Sequence, residues 1–440
     1  MYLKLKEVIP FLENNNREDI IEILDTMESL LPLFFEEPFA VDKKLNEQQF
    51  LENILENYDN IQSNIKISGL IMVRNQEVKI KAAINSLKEL VDELVVVDTG
   101  STDNTISSIR EIDTDKIKFY EYEWEENFSF MRNKIFSMTT GDWVIILDSD
   151  EVFTNKISYK VLKNLLGFVT VLTENRDVSL QIQAFYPNSS RFILPDRIIK
   201  KSNTVKFYGK VHEEPRSTTA NPLKRIQSRI SVVNAGASKE EVKRFNKESR
   251  YAKLTKEMIA EEPNNPRWVV LSKPDAFEDL GDKKYYENLL LQHIKVNKDK
   301  PLSKKNVNNT IYLKPLLDRY VLCLMNRSDS VVALKAIKLG KELFPNNINF
   351  IMYEYAVKKI NIDIEMKCLL DNLLFDFDSL DQKKYVLESQ KNDDFLKIII
   401  VKMLISLGNY EKAAKIFNSI SDPYALESLT KEKKYLNIEG

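Results

Sequence analysis

From Lys66 onward the chain alternates short apolar runs with amphipathic stretches. Ile67 to Val73, Leu94 to Val97, Ile117 to Tyr122 and Trp143 to Leu147 are rich in β-branched and aromatic residues, and each predicts a strand. Strands alternating with helices predict βαβ units and a mainly parallel sheet, whose ligands bind beyond the carboxyl ends of the strands. Ahead of this region, Ile20, Ile21, Ile23, Leu24 and Met27 recur at helical spacing among many Glu and Asn, with no glycine in residues 1–60. That stretch predicts a helical extension.

After about Ala237 the pattern becomes helical and rich in lysine. Two segments suggest degenerate helix pairs: Pro266-Arg267-Trp268 through Leu280-Gly281-Asp282, and Leu407-Gly408-Asn409-Tyr410 with Ala413, Ala414 and Phe417. The second has the Gly-x-Tyr-x-x-Ala core of a tetratricopeptide-like repeat, in which small residues let paired helices approach closely. A plain helical bundle is the alternative. The expected organisation is a helical extension over 1–60, an α/β domain over 61–236, and a helical, tetratricopeptide-like domain over 237–440 that binds the acceptor, dimerises, or both.

The length of 440 residues and 43% hydrophobic content allow more than one core. The 64 basic and 66 acidic residues nearly cancel, so no polyanion-binding surface is implied and nucleic acid is not an expected partner. Cys323 and Cys368 both sit in apolar helical contexts, which reads as buried thiols in a reducing cytoplasm. Met1-Tyr2-Leu3-Lys4-Leu5-Lys6-Glu7 lacks a signal-peptide core, and apolar stretches such as Ile398-Ile399-Ile400-Val401 are too short to span a bilayer. A soluble cytoplasmic protein without stable membrane insertion is expected.

The chemistry collects at strand ends. Strand one ends in Val73-Arg74-Asn75, where free N–H groups at the start of the following helix favour a polar or anionic ligand. Strand two ends in Asp98, a candidate acceptor for a nucleoside base or ribose, while Ser101, Thr102 and Asp103 serve equally well as turn and cap residues. Asp148-Ser149-Asp150 closes the Trp143–Leu147 run; on extended backbone the two carboxylates point to one side, where mutual repulsion makes a divalent cation their natural partner. His212 offers the third ligand that this pair lacks, and imidazole suits Mn²⁺. Glu213 then stands beside the metal as a candidate general base, with Glu214 the alternative. Arg132 and Arg197 are candidates for neutralising a diphosphate.

Taken together, Val73-x-Asn75, Asp98-x-x-Ser101-x-Asp103-x-Thr105, Trp124-x-x-Asn127-Phe128-Ser129-x-x-Arg132-Asn133, Asp148-Ser149-Asp150 and Phe207-x-Gly209-x-Val211-His212-Glu213 resemble a family 2 glycosyltransferase of the GT-A fold. More narrowly, their order and the helical tail resemble the sublancin-type peptide S-glycosyltransferases, which glycosylate bacteriocin precursors. The similarity spans roughly residues 66–236 and, more loosely, the helical part. It implies a UDP-sugar donor, UDP-glucose in the first instance. Val73, Asn75, Asp98, Arg132, Asn133, Asp148, Ser149 and Arg197 would bind the nucleotide-sugar, with Asp98 on the uridine and Asp148 near the ribose. Asp150, His212 and Asp148 would hold Mg²⁺ or Mn²⁺. It implies an inverting displacement with Glu213 as base and a peptide cysteine, alternatively serine, as acceptor. Where the family usually has Asn-Glu after strand one, this chain has Asn75-Gln76-Glu77.

Three other readings compete. The same donor site can serve a cell-envelope saccharide or lipid-linked acceptor. The helical part can act as a partner-binding scaffold beside a vestigial sheet domain; separately, repeat helices often mediate dimerisation, so a homodimer is expected. A nicotinamide-dependent enzyme is disfavoured because strand one lacks the Gly-x-Gly-x-x-Gly turn.

Overall fold

The structure, a computed structural model, describes residues 2–35, 39–40, 46–154, 157–173, 176–187, 189–234, 247–273, 277, 284–379 and 393–436. The chain divides into two compact units, Met1–Pro263 and Asn264–Gly440.

The first unit opens with a short pairing of β1 (Tyr2–Leu3) and β2 (Phe39–Ala40), and its helices include α1 (Ile9–Asn14), α3 (Pro32–Phe35), α4 (Glu47–Asn64), α6 (Thr105–Arg110) and α8 (Tyr159–Thr173). It is built on a nine-stranded sheet. Its strands are β3 (Ile67–Val73), β4 (Glu93–Asp98), β5 (Ile117–Glu121), β6 (Trp143–Asp148), β7 (Glu151–Phe153), β8 (Val178–Phe185), β9 (Phe192–Ile193), β10 (Asp196–Lys200) and β13 (Lys224–Asn234), with order β5-β4-β3-β6-β10-β8-β13-β7 and β9 beside β8. The four strands read from the sequence form a parallel sector, β5-β4-β3-β6. Beyond it β10 runs antiparallel to both β6 and β8, so the sheet as a whole is mixed. β4 is buried along its whole length and β3 nearly so, which is why they read as continuous apolar runs.

Each face of the sheet has its own cover. On one, helix α5 (Ile80–Leu87) buries Ile80, Ala83, Ile84 and Leu87, one stripe at helical spacing. The N-terminal helix α2 (Glu18–Leu30) buries Ile20, Ile23, Leu24 and Met27 in the same apolar cluster as Ile67, Leu94 and Trp143. On the other face, α7 (Phe128–Ser137) and the hairpin of β11 (Val205–Tyr208) and β12 (Glu214–Ser217) pack Ile135, Phe136, Val205 and Phe207 over Leu70, Val95 and Ile146. Gly141 leads into β6 and donates its N–H to Ser68 Oγ at 2.7 Å, while Asp142 accepts from the Lys66 N–H at 2.8 Å, so the start of β6 is pinned to that of β3.

A further helix of this unit, α9 (Lys247–Glu261), docks on the β11–β12 connection. Lys210 Nζ reaches Glu257 at 2.8 Å and Glu261 at 2.6 Å.

The second unit is helical. Its helices include Leu313–Asn326, Ser330–Leu343, Ile348–Ser379, Asp393–Ser406 and Tyr410–Phe417. Gly408, at φ +75°, turns the chain between the last two, and Ala413 and Phe417 are buried as their spacing predicts. Leu280, Gly281 and Asp282 lie outside the described residues. The buried-thiol expectation is corrected in part: Cys323 is half-buried, with burial pushing its thiol up to about 11, whereas Cys368 is exposed on the Ile348–Ser379 helix. No helix among the described residues is long and apolar enough to cross a membrane.

Candidate active site

A cavity of about 550 Å³ opens at the carboxyl end of the parallel sector. Strand ends contribute Val73, Thr99, Asp148, Ser149 and Asp150; α7 gives Arg132, β10 gives Arg197, and the β11–β12 connection gives His212 and Glu213. The second unit holds a cavity of about 630 Å³ walled by Leu and Ile side chains such as Leu370, Leu374, Ile400 and Leu404, with Asp363, Lys367, Asp371, Lys412 and Lys415 also on its lining.

Charges alternate across the first cavity. Arg197 Nη2 donates to Glu151 Oε1 at 2.9 Å and also to Asp148 Oδ2, and Nη1 reaches Asp148 Oδ1 at 3.3 Å. Arg132 Nη2 stands 3.6 Å from Asp148 Oδ1, and its Nε and Nη2 donate to Glu213 Oε1 at 3.2 and 3.0 Å. The result is a ladder, Glu151–Arg197–Asp148–Arg132–Glu213. Its deepest rung is Glu151, whose side chain is fully buried and also accepts from the Asp148 N–H at 3.1 Å and Asn234 Nδ2 at 3.2 Å. Burial pushes the Glu151 carboxyl up, and Arg197 pulls it back. Burial also works against the Arg197 charge, but Asp148 and Glu151 outweigh it and hold the guanidinium above its ordinary pKa.

The expected three-ligand cluster is not formed. Among the described residues no three His, Cys, Asp or Glu side chains stand close enough to hold a metal ion. Two guanidinium groups engage the Asp148 carboxylate instead. The backbone supplies a second reason: β6 ends at Asp148, and Ser149 and Asp150 make the turn into β7, so side-chain alternation does not operate across 148–150. Asp150 and His212 nevertheless line the same cavity. One carboxylate and one imidazole fit a divalent cation that draws its remaining ligands from a diphosphate and water, the usual habit of Mg²⁺ at phosphate sites.

Several expected nucleotide-sugar ligands are occupied elsewhere. Asp98 does not line the cavity; its carboxylate accepts from the N–H groups of Gly100 at 2.9 Å and Ser101 at 2.8 Å and from Ser101 Oγ, shaping its own turn. Asn75, at φ +52°, accepts from the Thr102 N–H at 2.7 Å and ties strand one to that turn, while its neighbours Arg74 and Gln76 reach the cavity. Asn133 clamps the Phe207 backbone, donating to its carbonyl at 2.9 Å and accepting from its N–H at 2.8 Å. Glu214 pairs with Arg216 at 2.9 Å and does not line the cavity, which leaves Glu213 as the carboxylate of that pair facing it.

The β11–β12 connection takes an unusual backbone path. Gly209 at φ +109° and His212 at φ +50° both adopt left-handed backbone, uncommon for a residue other than glycine and a conformation that recurs at functional turns. The carbonyls of Lys210 and Gly209 accept the N–H groups of Phe128 and Ser129, capping α7. His212 meets the Tyr251 ring edge-on, with centroids 5.3 Å apart.

Sequence reasoning missed Glu151, Arg250 and Tyr251. Glu151 directly follows Asp150 and was legible as a third acid, although its partner lies 46 residues away. Arg250 and Tyr251 come from α9, and no motif marked them.

Residues 68–223 match the model for Glycosyl transferase family 2. The chain is 25% identical over 377 residues to the SPbeta prophage-derived glycosyltransferase SunS of Bacillus subtilis (strain 168), covering 83% of this chain and 82% of the relative. The glycosyltransferase SunS of Bacillus phage SPbeta matches to the same extent. Among solved structures, S. aureus TarS 1-349 aligns with 16% identity over 67% of this chain and 91% of that one, at a TM-score of 0.32. Glucosyl-3-phosphoglycerate synthase from Mycobacterium tuberculosis, in complex with Mn²⁺, UDP and phosphoglyceric acid, aligns with 25% identity over 31% and 48% of the two chains, at a TM-score of 0.22.

Proposed function

We propose that this chain, a glycosyltransferase with a family 2 domain of the GT-A fold, transfers a hexose from a UDP-sugar, UDP-glucose in the first instance, to a cysteine of a bacteriocin precursor peptide. The observation that carries this reading is the gathering of Asp148, Asp150, His212 and Glu213 on one cavity at the carboxyl end of the parallel strands. The motif order from Val73 to Glu213 and the helical second unit favour a peptide acceptor, with that unit holding the peptide or a second copy of the chain.

In the proposed reaction the acceptor sulfur attacks the anomeric carbon, the bond from that carbon to the diphosphate oxygen breaks with its electron pair leaving on the diphosphate, and the thiol proton passes to Glu213. A free thiol has a pKa of about 8.5, so modest help from a carboxylate suffices. Arg132 holds Glu213 by two hydrogen bonds to Oε1 and thereby fixes its direction at the cavity wall. Arg197 holds the Asp148 carboxylate, which in this reading serves the ribose. A divalent cation held by Asp150 and His212 would stabilise the charge of the departing diphosphate.

The test is incubation with UDP-glucose, Mn²⁺ and a cysteine-bearing precursor peptide, followed by mass spectrometry. A hexose added to the peptide, and lost when its cysteines are replaced by alanine, supports the reading. Absence of hexose on every such peptide contradicts it. Glu213→Gln should slow turnover on the order of a hundredfold while donor binding persists.

A further inference from the structure

The two arginines that the sequence suggested for a diphosphate are already engaged. Arg197 is shared between Glu151 and Asp148, and Arg132 between Glu213 and Asp148. Withdrawing Arg197 would leave the buried Glu151 carboxylate uncompensated, and withdrawing Arg132 would strip the half-buried Glu213 of its cation.

Arg250 on α9 is placed differently. It lines the same cavity, half-buried, and its guanidinium lies 5.4 Å from the Phe128 ring centre and 5.7 Å from those of Trp124 and Tyr251. No carboxylate among the described residues pairs with it, and its Nε is buried without a hydrogen-bond partner. Ring faces fix a guanidinium without satisfying its in-plane donors, so apart from the hydrogen bond shared with Tyr251 the N–H fork remains for an oxyanion. Beside it stands Tyr251, which also lines the cavity, shares a side-chain hydrogen bond with Arg250 and meets the His212 ring edge-on. Arg74 also reaches the cavity, but it is exposed at the tip of β3, where water and salt screen its charge.

We infer that Arg250, with the Tyr251 hydroxyl beside it, grips the diphosphate of the nucleotide donor and neutralises it as it departs. This rests on the UDP-sugar reading above and adds to it a residue outside the region 68–223 that matches the family. The donor site is then completed by α9, a helix that the family match does not include. Arg250 also serves specificity, because a cation waiting on aromatic faces favours a nucleoside diphosphate over a nucleoside.

The assignment is tested on the 440-residue chain by calorimetric titration with UDP and with uridine in Mg²⁺. Arg250→Gln is expected to weaken UDP about tenfold and leave uridine unchanged, and Arg250→Lys to recover part of the loss. Tyr251→Phe keeps the ring packing and removes only the hydroxyl; it is expected to weaken UDP a few-fold, again without touching uridine. An unchanged UDP-to-uridine ratio in Arg250→Gln, or equal weakening of both ligands, overturns the assignment. A wild-type chain that binds neither ligand instead overturns the donor reading itself, before any substitution is made.

Discussion

Glu151 Oε1 accepts from Arg197 Nη2 at 2.9 Å, so a fully buried acid next to the turn holds the arginine that in turn holds Asp148. Glu151 never faces the cavity, yet two members of the wall depend on it. It is a positioning residue: the Asp148 N–H and the Asn234 amide complete its hydrogen bonds, leaving the guanidinium one orientation.

Glu151→Gln should therefore raise the donor KM by about tenfold and lower the melting temperature by several degrees, because removing one partner of a buried ion pair strands the other. Initial rates against UDP-glucose concentration check it. A variant with the wild-type donor KM would show that Arg197 needs no support from below.

Acid sensitivity should trace to Glu93. Burial works to raise its carboxyl, but Lys118, Ser68 and the Thr140 N–H outweigh it and bring the pKa down to about 2. A depressed folded-state pKa contributes stability that is fully present above the unfolded value of about 4.5 and is lost as pH falls toward 2. The melting-temperature gap between wild type and Glu93→Gln should thus be widest above pH 5 and shrink on acidification through pH 4 and 3. A gap independent of pH would exclude this origin.

The second unit offers a packing test at Gly340. A Cβ built there would lie 2.4 Å from the Phe350 ring, itself fully buried. Gly340→Ala should destabilise by about 1–3 kcal/mol, since the ring is locked among neighbours and has little room to move. Chemical denaturation monitored within the helical unit reads the loss. Wild-type stability would mean that the two helices separate at no cost.

In the parallel sector β3, β4 and β6 were legible because they are buried on both sides and so read as plain apolar runs, whereas the edge strand β5 alternates half-buried Ile117 and Phe119 with exposed Lys118 and Tyr120; β4 extends the expected Leu94–Val97 by one residue at each end. Asp148, Asp150, His212 and Glu213 were legible as neighbours because they sit at strand ends or turns, where function concentrates. Their individual partners were not. Any of 64 basic residues could have met Asp148, and only the antiparallel return of β10 brings Arg197 to it. Asp98 and Asn133 misled for a related reason: a polar side chain at a strand tip or helix face satisfies local backbone as readily as a ligand. Arg250 was hidden because its helix looks like any other lysine-rich amphipathic stretch until Lys210 docks it.

The central claim is that Asp150 and His212 act together in gripping a nucleoside diphosphate, and the most direct measurement is titration of UDP with and without Mn²⁺. Wild type, Asp150→Ala, His212→Ala and the double variant form a cycle. The account predicts that Mn²⁺ tightens UDP binding to the wild type, that either single substitution abolishes this gain, and that the double variant loses nothing more. Single variants that bind UDP in Mn²⁺ as tightly as the wild type would contradict it.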